Sequence, residues 1–153
     1  MSCFYCEKDQ RLLDLMAPLA ELEWLDLYLF RDQKHRGRCV AALKGPHRDE
    51  IWQLEEETRN GFFRDVAAAA EAIARYAQAD KINYAIYGDK VSHFHVHLVP
   101  KKEGGLQWGG PFTDGLPKVT LSPEEFQATG QALLSCLEDV CRERGLPAPK
   151  GKL

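Results

Sequence analysis

A run of alternating histidines and apolar residues, VSHFHVHLVP at positions 91–100, constrains the fold of this chain more than any other feature. One phase of the alternation carries His93, His95 and His97, and the other carries Phe94, Val96 and Leu98. Successive side chains of a β-strand point to opposite faces of a sheet. The run therefore predicts a strand with its apolar face on the core and its three histidines together on the other face.

The histidine face has three interpretations. It is a solvated polar face of a sheet, a metal site, or a nucleophile with helper imidazoles. Three alternating histidines cannot easily converge on one tetrahedral ion, because the outer two lie about 13 Å apart along a strand. A neutral imidazole is nucleophilic near pH 7, and neighbouring imidazoles can donate hydrogen bonds or pass a proton. The spacing favours a nucleophile, and a metallohydrolase that uses the histidine strand directly is an alternative.

The rest of the chain predicts an α+β fold, in which helices pack on an antiparallel sheet of about five strands. Alternating patterns predict further strands at 22–30, 38–44 and 81–88. Apolar residues at three- and four-residue spacing predict a short helix within 7–19, ended near Pro18, and a long amphipathic helix over 55–78. The alternation of helices and strands thus supplies the layers that would cover the histidine strand.

The C-terminal part of the chain predicts a long loop and a capped helix. Residues 102–120 are rich in glycine and proline, which is typical of a loop with a function. Ser122 and Gly145 have the positions of an N-cap and a C-terminal stop for a helix over 122–145. We expect one domain over 1–146 and a disordered tail over 147–153.

Composition excludes few functions, but it narrows the kind of partner, the cellular compartment and the state of the cysteines that we expect. The formal net charge of -3 gives no field that points to a polyanionic partner, so no nucleic acid is expected. The sequence has no apolar run long enough for a membrane span and no secretory signal pattern, which predicts a cytoplasmic protein. Its five cysteines are an odd number, which favours free thiols or metal binding over a disulfide framework.

Cys3 and Cys6 form a lone Cys-x-x-Cys motif near the start of the chain. A pair of free thiols is one interpretation of it. A structural zinc site is the favoured one, and it needs two more ligands, which are typically histidines. Outside the alternating run, His35 lies in a charged turn and is expected at the surface.

The motif His93-Phe94-His95-Val96-His97-Leu98-Val99 resembles the signature of the histidine triad (HIT) family, in which histidines alternate with apolar residues. The order of elements is similar too: a Cys-x-x-Cys pair, two strands, a histidine, a long helix, and a hairpin that ends in the triad. The resemblance covers roughly residues 1–112. It implies the HIT-like fold, a purine nucleotide substrate, and a homodimer formed through the long helix and the neighbouring strand.

The resemblance also implies a role for each site residue. His95 would attack the α-phosphorus of a nucleotide and form a nucleotidyl-histidine that water then cleaves, while His97 would bind phosphate oxygens or the leaving group. Asn83, Gly88 and Asp89 would bind the substrate. The implied activity is that of a nucleotide hydrolase or nucleotidyl transferase, with nucleoside phosphoramidates, acylated nucleotides or dinucleoside polyphosphates as substrates. A catalytically silent nucleotide-binding or scaffold protein on the same fold is an alternative.

One residue, Lys90, departs from the pattern of many family members. Lys90 occupies the position where many members have a small hydroxyl residue that helps to bind phosphate, and a lysine could contact phosphate as a point charge instead.

In the zinc-binding members of the family, the Cys-x-x-Cys pair is joined by a histidine after the second strand and by the first triad histidine. These positions correspond to His47 and His93 here, so the resemblance implies a zinc site made of Cys3, Cys6, His47 and His93.

Overall fold

A six-stranded antiparallel sheet organises residues 2–153, the part of the chain that the computed structural model describes. Its strands are β1 (Met16–Glu21), β2 (Leu25–Phe30), β3 (Cys39–Leu43), β4 (Lys81–Ala85), β5 (His95–Lys101) and β6 (Lys150–Gly151). They lie side by side in the order β4-β5-β3-β2-β1-β6. The histidine strand β5 is thus an inner strand, held by β4 on one side and β3 on the other.

Four helices cover the two faces of the sheet. They are α1 (Phe4–Glu7), α2 (Gln10–Leu15), α3 (Glu56–Ala77) and α4 (Pro123–Glu143). The two long helices α3 and α4 pack together over one face, where the main core includes the apolar side chains of β2 and β5. The short helices α1 and α2 belong to a second, smaller cluster on the opposite face. None of the helices described for residues 2–153 is long and apolar enough to cross a membrane.

The main core confirms the predicted apolar phase of the histidine strand. Phe94, just before β5, and Val96 and Leu98 on β5 are at most 3% exposed and lie under α3. The alternation therefore directs the histidines to the other face, beside α1. Register fixes their neighbours, since His95 lies opposite Ala42 and His97 lies opposite Val40 on β3.

The long helix α3 tolerates Gly61 because of a close approach. A Cβ at this position would lie 2.3 Å from Nε1 of Trp24, which is far inside van der Waals contact. The glycine costs helix stability of about 1 kcal/mol relative to alanine, but it lets the indole of Trp24 lie flat against the helix. The backbone N–H of Trp24 also donates to Asp65 on α3 at 2.8 Å, which anchors the start of β2 to the helix.

The structure corrects the prediction for residues 7–19. The helix α2 ends at Leu15, and β1 continues through Pro18 instead of a helix ending there. Proline fits because the pairing of β1 with β2 shifts register between Pro18 and Ala20, so the ladder does not require its missing N–H. The predicted C-terminal helix is confirmed, with Ser122 accepting from the backbone N–H of Glu125 at 3.1 Å.

Residues 147–153 are expected as a disordered tail, but the structure places them against the sheet. Lys150 and Gly151 form β6 beside β1, and Leu153 packs on the main core at Gly130. Gly151 lies so close to Leu134 that a Cβ would lie 2.6 Å from its Cδ2 atom. A polar, proline-rich composition is therefore not sufficient to predict a disordered C-terminal segment, because the contacts of Gly151 and Leu153 with α4 hold this segment in place.

Candidate functional site: a cysteine–histidine cluster and an adjacent cavity

The Cys-x-x-Cys pair, His47 and His93 converge on one point at the end of β5. Their ligand atoms all lie within 4.8 Å of one another. The Sγ of Cys6 is 3.4 Å from Nδ1 of both histidines, and the Sγ of Cys3 is 3.6 Å from Nδ1 of His93. In a tetrahedral zinc site a thiolate sulfur and an imidazole nitrogen lie about 3.6 Å apart. The four residues therefore fit a tetrahedral metal ion and form a candidate metal site.

The second nitrogen of each histidine in this cluster is already bonded. Nε2 of His93 donates to the backbone carbonyl of Leu43 at 2.8 Å, and Nε2 of His47 lies 2.7 Å from the carboxylate of Asp49. Such outer contacts fix the tautomer of a metal-binding histidine and leave the other nitrogen free to bind the ion. Burial also lowers the pKa of His93, which favours the neutral imidazole that a metal requires.

A cavity of about 350 Å³ opens next to this cluster, on the histidine face of the sheet. Both remaining triad histidines line it, together with the turn Gly88–Lys90 and the side chains of Phe30 and Arg38. Its further walls come from α1, the α2–β1 junction, the hairpin and the long loop: Phe4, Tyr5, Leu15, Met16, Tyr87, Val91 and Asp114. Apolar and aromatic walls with a few polar groups at one end are typical of a pocket for a small organic ligand.

His95 presents a free nitrogen lone pair in this cavity. Its Nδ1 lies 2.5 Å from the backbone carbonyl of His93, and a carbonyl can only accept, so Nδ1 carries the proton. Nε2 of the neutral ring is then unprotonated. Burial lowers the pKa of His95, whose side chain belongs to a residue only 7% exposed. A neutral, oriented imidazole with a bare Nε2 is suited to nucleophilic attack.

His97 has a different partner, the guanidinium of Arg38. Nη2 of Arg38 lies 3.2 Å from Nδ1 of His97, while Nη1 donates to Asp114 at 2.7 Å. Burial, then the neighbouring His95 and the charge of Arg38, lower the pKa of His97 to about 3. His97 is therefore neutral throughout the physiological range of pH.

Tyr5 connects the metal cluster with the cavity. It lies between the two cysteines in sequence, and its ring centroid is 5.3 Å from that of His93 and 5.0 Å from that of His95. The residue is only 5% exposed and belongs to the second apolar cluster. A metal that fixes Cys3 and Cys6 would therefore also fix the aromatic wall against His95.

The predicted site residues fall into two groups in the structure. Gly88, Asp89, Lys90, His95 and His97 line the one cavity, and the four predicted metal ligands meet beside it. Asn83 does not line the cavity; it lies on β4 opposite Val99, on the same sheet face as the histidines. His35, expected at the surface, is only 5% exposed, because the turn that holds it folds under the long loop.

Several residues in the cavity wall or beside it were not predicted from the sequence. Arg38 and Asp114 are 76 positions apart, and Phe112 of the long loop lies beside His97 with ring centroids 6.1 Å apart. Of these residues, only Arg38 could have been found from the sequence. It alternates in phase with Val40 and Ala42, so it is a charged residue at the start of a strand that is otherwise apolar and buried. The loop residues have no comparable pattern.

The fold is similar to solved structures of histidine triad proteins. A scan against family models gives no match, and neither does a search of curated proteins. A histidine triad protein from Bradyrhizobium japonicum superposes with a TM-score of 0.77 at 20% identity, over 84% of this chain and 96% of that one. A hypothetical histidine triad nucleotide-binding protein from Sulfolobus tokodaii gives a TM-score of 0.72 at 19% identity, over 94% and 97%.

A zinc-bound histidine triad family protein from Mycobacterium smegmatis is similar as well. It gives a TM-score of 0.65 at 25% identity and covers 94% of this chain and 98% of that chain. The chain thus has the histidine triad fold, and the resemblance inferred from its sequence motif is confirmed at the level of that fold.

Proposed function

We propose that this histidine triad fold is a nucleotide hydrolase or nucleotidyl transferase that acts at an α-phosphate through a nucleotidyl-histidine intermediate. One observation carries the proposal: the Nδ1–H of His95 is bonded to the carbonyl of His93, which leaves a bare Nε2 in a cavity of about 350 Å³. Apolar and aromatic walls suit a base, and the positive side chains of Arg38 and Lys90 suit phosphates.

The chemistry follows from the two imidazoles. Nε2 of His95 attacks the α-phosphorus, so that an N–P bond forms while the bond from phosphorus to the leaving group breaks. The leaving group departs with its electron pair: from a phosphoramidate it takes up a proton and leaves as an amine, and from a dinucleoside polyphosphate it leaves as the remaining nucleoside polyphosphate. Water or another acceptor then attacks the same phosphorus and releases His95. His97, 5.1 Å from His95 between ring centroids, is placed to contact the phosphoryl oxygens.

The direct test is incubation of the protein with a panel of purine nucleotides, followed by intact mass measurement after rapid acid-free quenching. The panel should contain an adenosine phosphoramidate, an acyl adenylate and a dinucleoside polyphosphate. The proposal predicts a mass gain of one nucleotidyl group on a peptide that contains His95, together with turnover of at least one substrate. A protein that binds these nucleotides but never gains the adduct or turns one over would instead be the silent nucleotide-binding protein.

We also propose that the ion in the candidate metal site is zinc and that its role is structural. Two cysteines and two histidines use all four positions of a tetrahedral ion and leave none open for water, as in structural zinc sites. The bound ion would hold Cys3 and Cys6, and with them Tyr5, against β5. This arrangement argues against a metallohydrolase, since the nucleophile His95 is not a member of the ligand set.

Lys90 is expected to contribute binding energy as a point charge. The Lys90→Met variant should raise KM by up to about tenfold with little change in kcat, because it removes one charge-assisted contact at the exposed mouth of the cavity. The effect should shrink at high ionic strength, which screens an exposed charge. Steady-state kinetics at low and high salt measure both results, and Lys118→Met, which changes an exposed lysine of the long loop outside the cavity, is the control. An unchanged KM at low salt would contradict a phosphate contact.

We further propose that the protein is a homodimer that uses the free edge of β4. This strand is last in the sheet order, so one of its edges pairs with no other strand of residues 2–153. Beside it, Tyr84, Ile86 and Tyr87 are 56%, 47% and 60% exposed. Light scattering coupled to gel filtration should give twice the chain mass for the wild type and the mass of one chain for Ile86→Lys. A wild type with the mass of one chain at micromolar concentration would rule out the dimer.

A further inference from the structure

Arg38 is the most unusual side chain in the cavity, since it is a charged residue that is only 1% exposed. The central carbon of its guanidinium lies over two aromatic rings, 4.1 Å from the centroid of Phe30 and 4.9 Å from that of Phe112. The carboxylate of Asp114 accepts from Nη1 and balances the charge. Contacts with two aromatic rings and one carboxylate thus restrict the orientation of the planar group and the direction of its remaining N–H groups.

The fixed guanidinium decides which nitrogen of His97 carries the proton. A guanidinium has five N–H donors and no acceptor, so the nitrogen that faces Nη2 of Arg38 must accept. That nitrogen is Nδ1 of His97, at 3.2 Å. A neutral imidazole with an accepting Nδ1 carries its proton on Nε2. Among residues 2–153, no side chain or backbone group forms a hydrogen bond with Nε2 of His97, and the residue lines the cavity.

The adjacent histidine has the opposite arrangement. Nδ1 of His95 faces a carbonyl oxygen, which is only an acceptor, so its Nε2 is bare. Two neighbouring imidazoles on one strand therefore differ in the state of Nε2 because one faces a donor and the other an acceptor. One supplies a lone pair and the other an N–H group.

We propose that Arg38 is a positioning residue that holds His97 as the Nε2–H tautomer, so that His97 donates a hydrogen bond to the phosphoryl group that His95 attacks. Asp114, from the long loop, positions Arg38 in turn. The kinetic part of this inference rests on the proposed function, whereas the tautomer itself does not. A donor aimed at oxygens whose charge grows in the transition state accelerates the chemical step more than it tightens binding.

The test combines spectroscopy with kinetics. Protein labelled with ¹⁵N-histidine should show, in long-range ¹H–¹⁵N spectra, a neutral His97 with a protonated Nε2 and a bare Nδ1. The signals are assigned from their loss in His97→Asn. In Arg38→Met, a change that keeps an apolar side chain of similar length beside the two rings, His97 should shift to a mixture that includes the Nδ1–H tautomer or the imidazolium. Turnover should fall by about 10²-fold, mostly in kcat.

Two controls separate positioning from general damage. Arg36→Met removes an exposed arginine from the same turn and should leave both the tautomer and kcat unchanged. Arg38→Lys keeps a buried donor and should recover part of kcat. A wild-type spectrum with the proton on Nδ1 of His97 would overturn the proposal, whether or not the methionine variant folds. So would an Arg38→Met protein with unchanged tautomer and kcat. If no nucleotide reacts at all, the proposed function fails, yet the spectrum still decides the tautomer.

Discussion

The His95→Ala variant is expected to form no nucleotidyl adduct and to lose turnover by about 10⁴-fold or more, the range seen when a covalent nucleophile is removed. The reason is specific to the site. His95 is the imidazole whose Nδ1 is bonded to a carbonyl, and neither His97 nor His93 presents a bare nitrogen to the cavity, because one faces Arg38 there and the other faces the thiols. Intact mass and steady-state turnover are the measurements.

The matched control for that variant is His35→Leu. His35 is the histidine outside both the cavity and the metal cluster, and neither of its buried ring nitrogens has a hydrogen-bond partner among the described residues. An apolar replacement of similar size should therefore leave the fold and the turnover intact. Thermal melting of both variants checks the fold. Turnover in His95→Ala close to that of the wild type would refute the covalent mechanism.

The second large effect is expected from the metal site. Stripping the ion, or replacing Cys6 with serine, should lower the melting temperature by about 10 °C. A ligand present at 1,000 times its dissociation constant stabilises the folded state by about 4 kcal/mol, and each kcal/mol shifts the melting temperature of a chain this long by about 2–4 °C. Elemental analysis of untagged protein should give one zinc per chain in the wild type and none in Cys6→Ser.

The control and the activity measurement distinguish a structural from a catalytic ion. Cys136→Ser changes a half-buried thiol on α4, remote from the cluster, and should keep both the zinc and the melting temperature. At a temperature where the metal-free protein remains folded, adduct formation at His95 should persist in large part. Turnover that falls in strict proportion to zinc content would favour a metallohydrolase. A wild type that contains no zinc as purified, and whose melting temperature does not change on chelation, would refute the zinc site.

Local patterns predicted most of the fold because they report directly on burial. The apolar phases of β2 and β5 and the capped helix α4 are confirmed, since each is encoded within a few neighbouring residues. The strand β1 was missed because Met16 and Leu19 continue the helical spacing of Leu12 and Leu15, and because Pro18 is typical of the end of a helix. The pairing of β6 was missed because two residues carry no pattern, and the contact that fixes them is with a distant helix.

The site was predictable where it depends on the strand and unpredictable where it depends on the loop. The phase of the histidines places His95 and His97 on one face, and that geometry follows from sequence alone. The sequence alone does not predict which nitrogen each histidine ring presents to the cavity. That depends on a carbonyl, a guanidinium and a carboxylate that the fold brings together. Asp114 is the extreme case, because it reaches Arg38 from a loop that has no periodic pattern.

The contact between Trp24 and Gly61 gives the protein a natural fluorescent reporter. The indole nitrogen of Trp24 is buried, while the residues Trp52 and Trp108 are 75% and 40% exposed. Exposed indoles emit much as they do in water whether the chain is folded or not, so a red shift of emission on unfolding would come mainly from Trp24. The indole of Trp24 packs on α3, and the residue directly precedes β2. Its emission should therefore change when the long helix separates from the sheet. The same signal can therefore record the melting curves of every variant without an added dye.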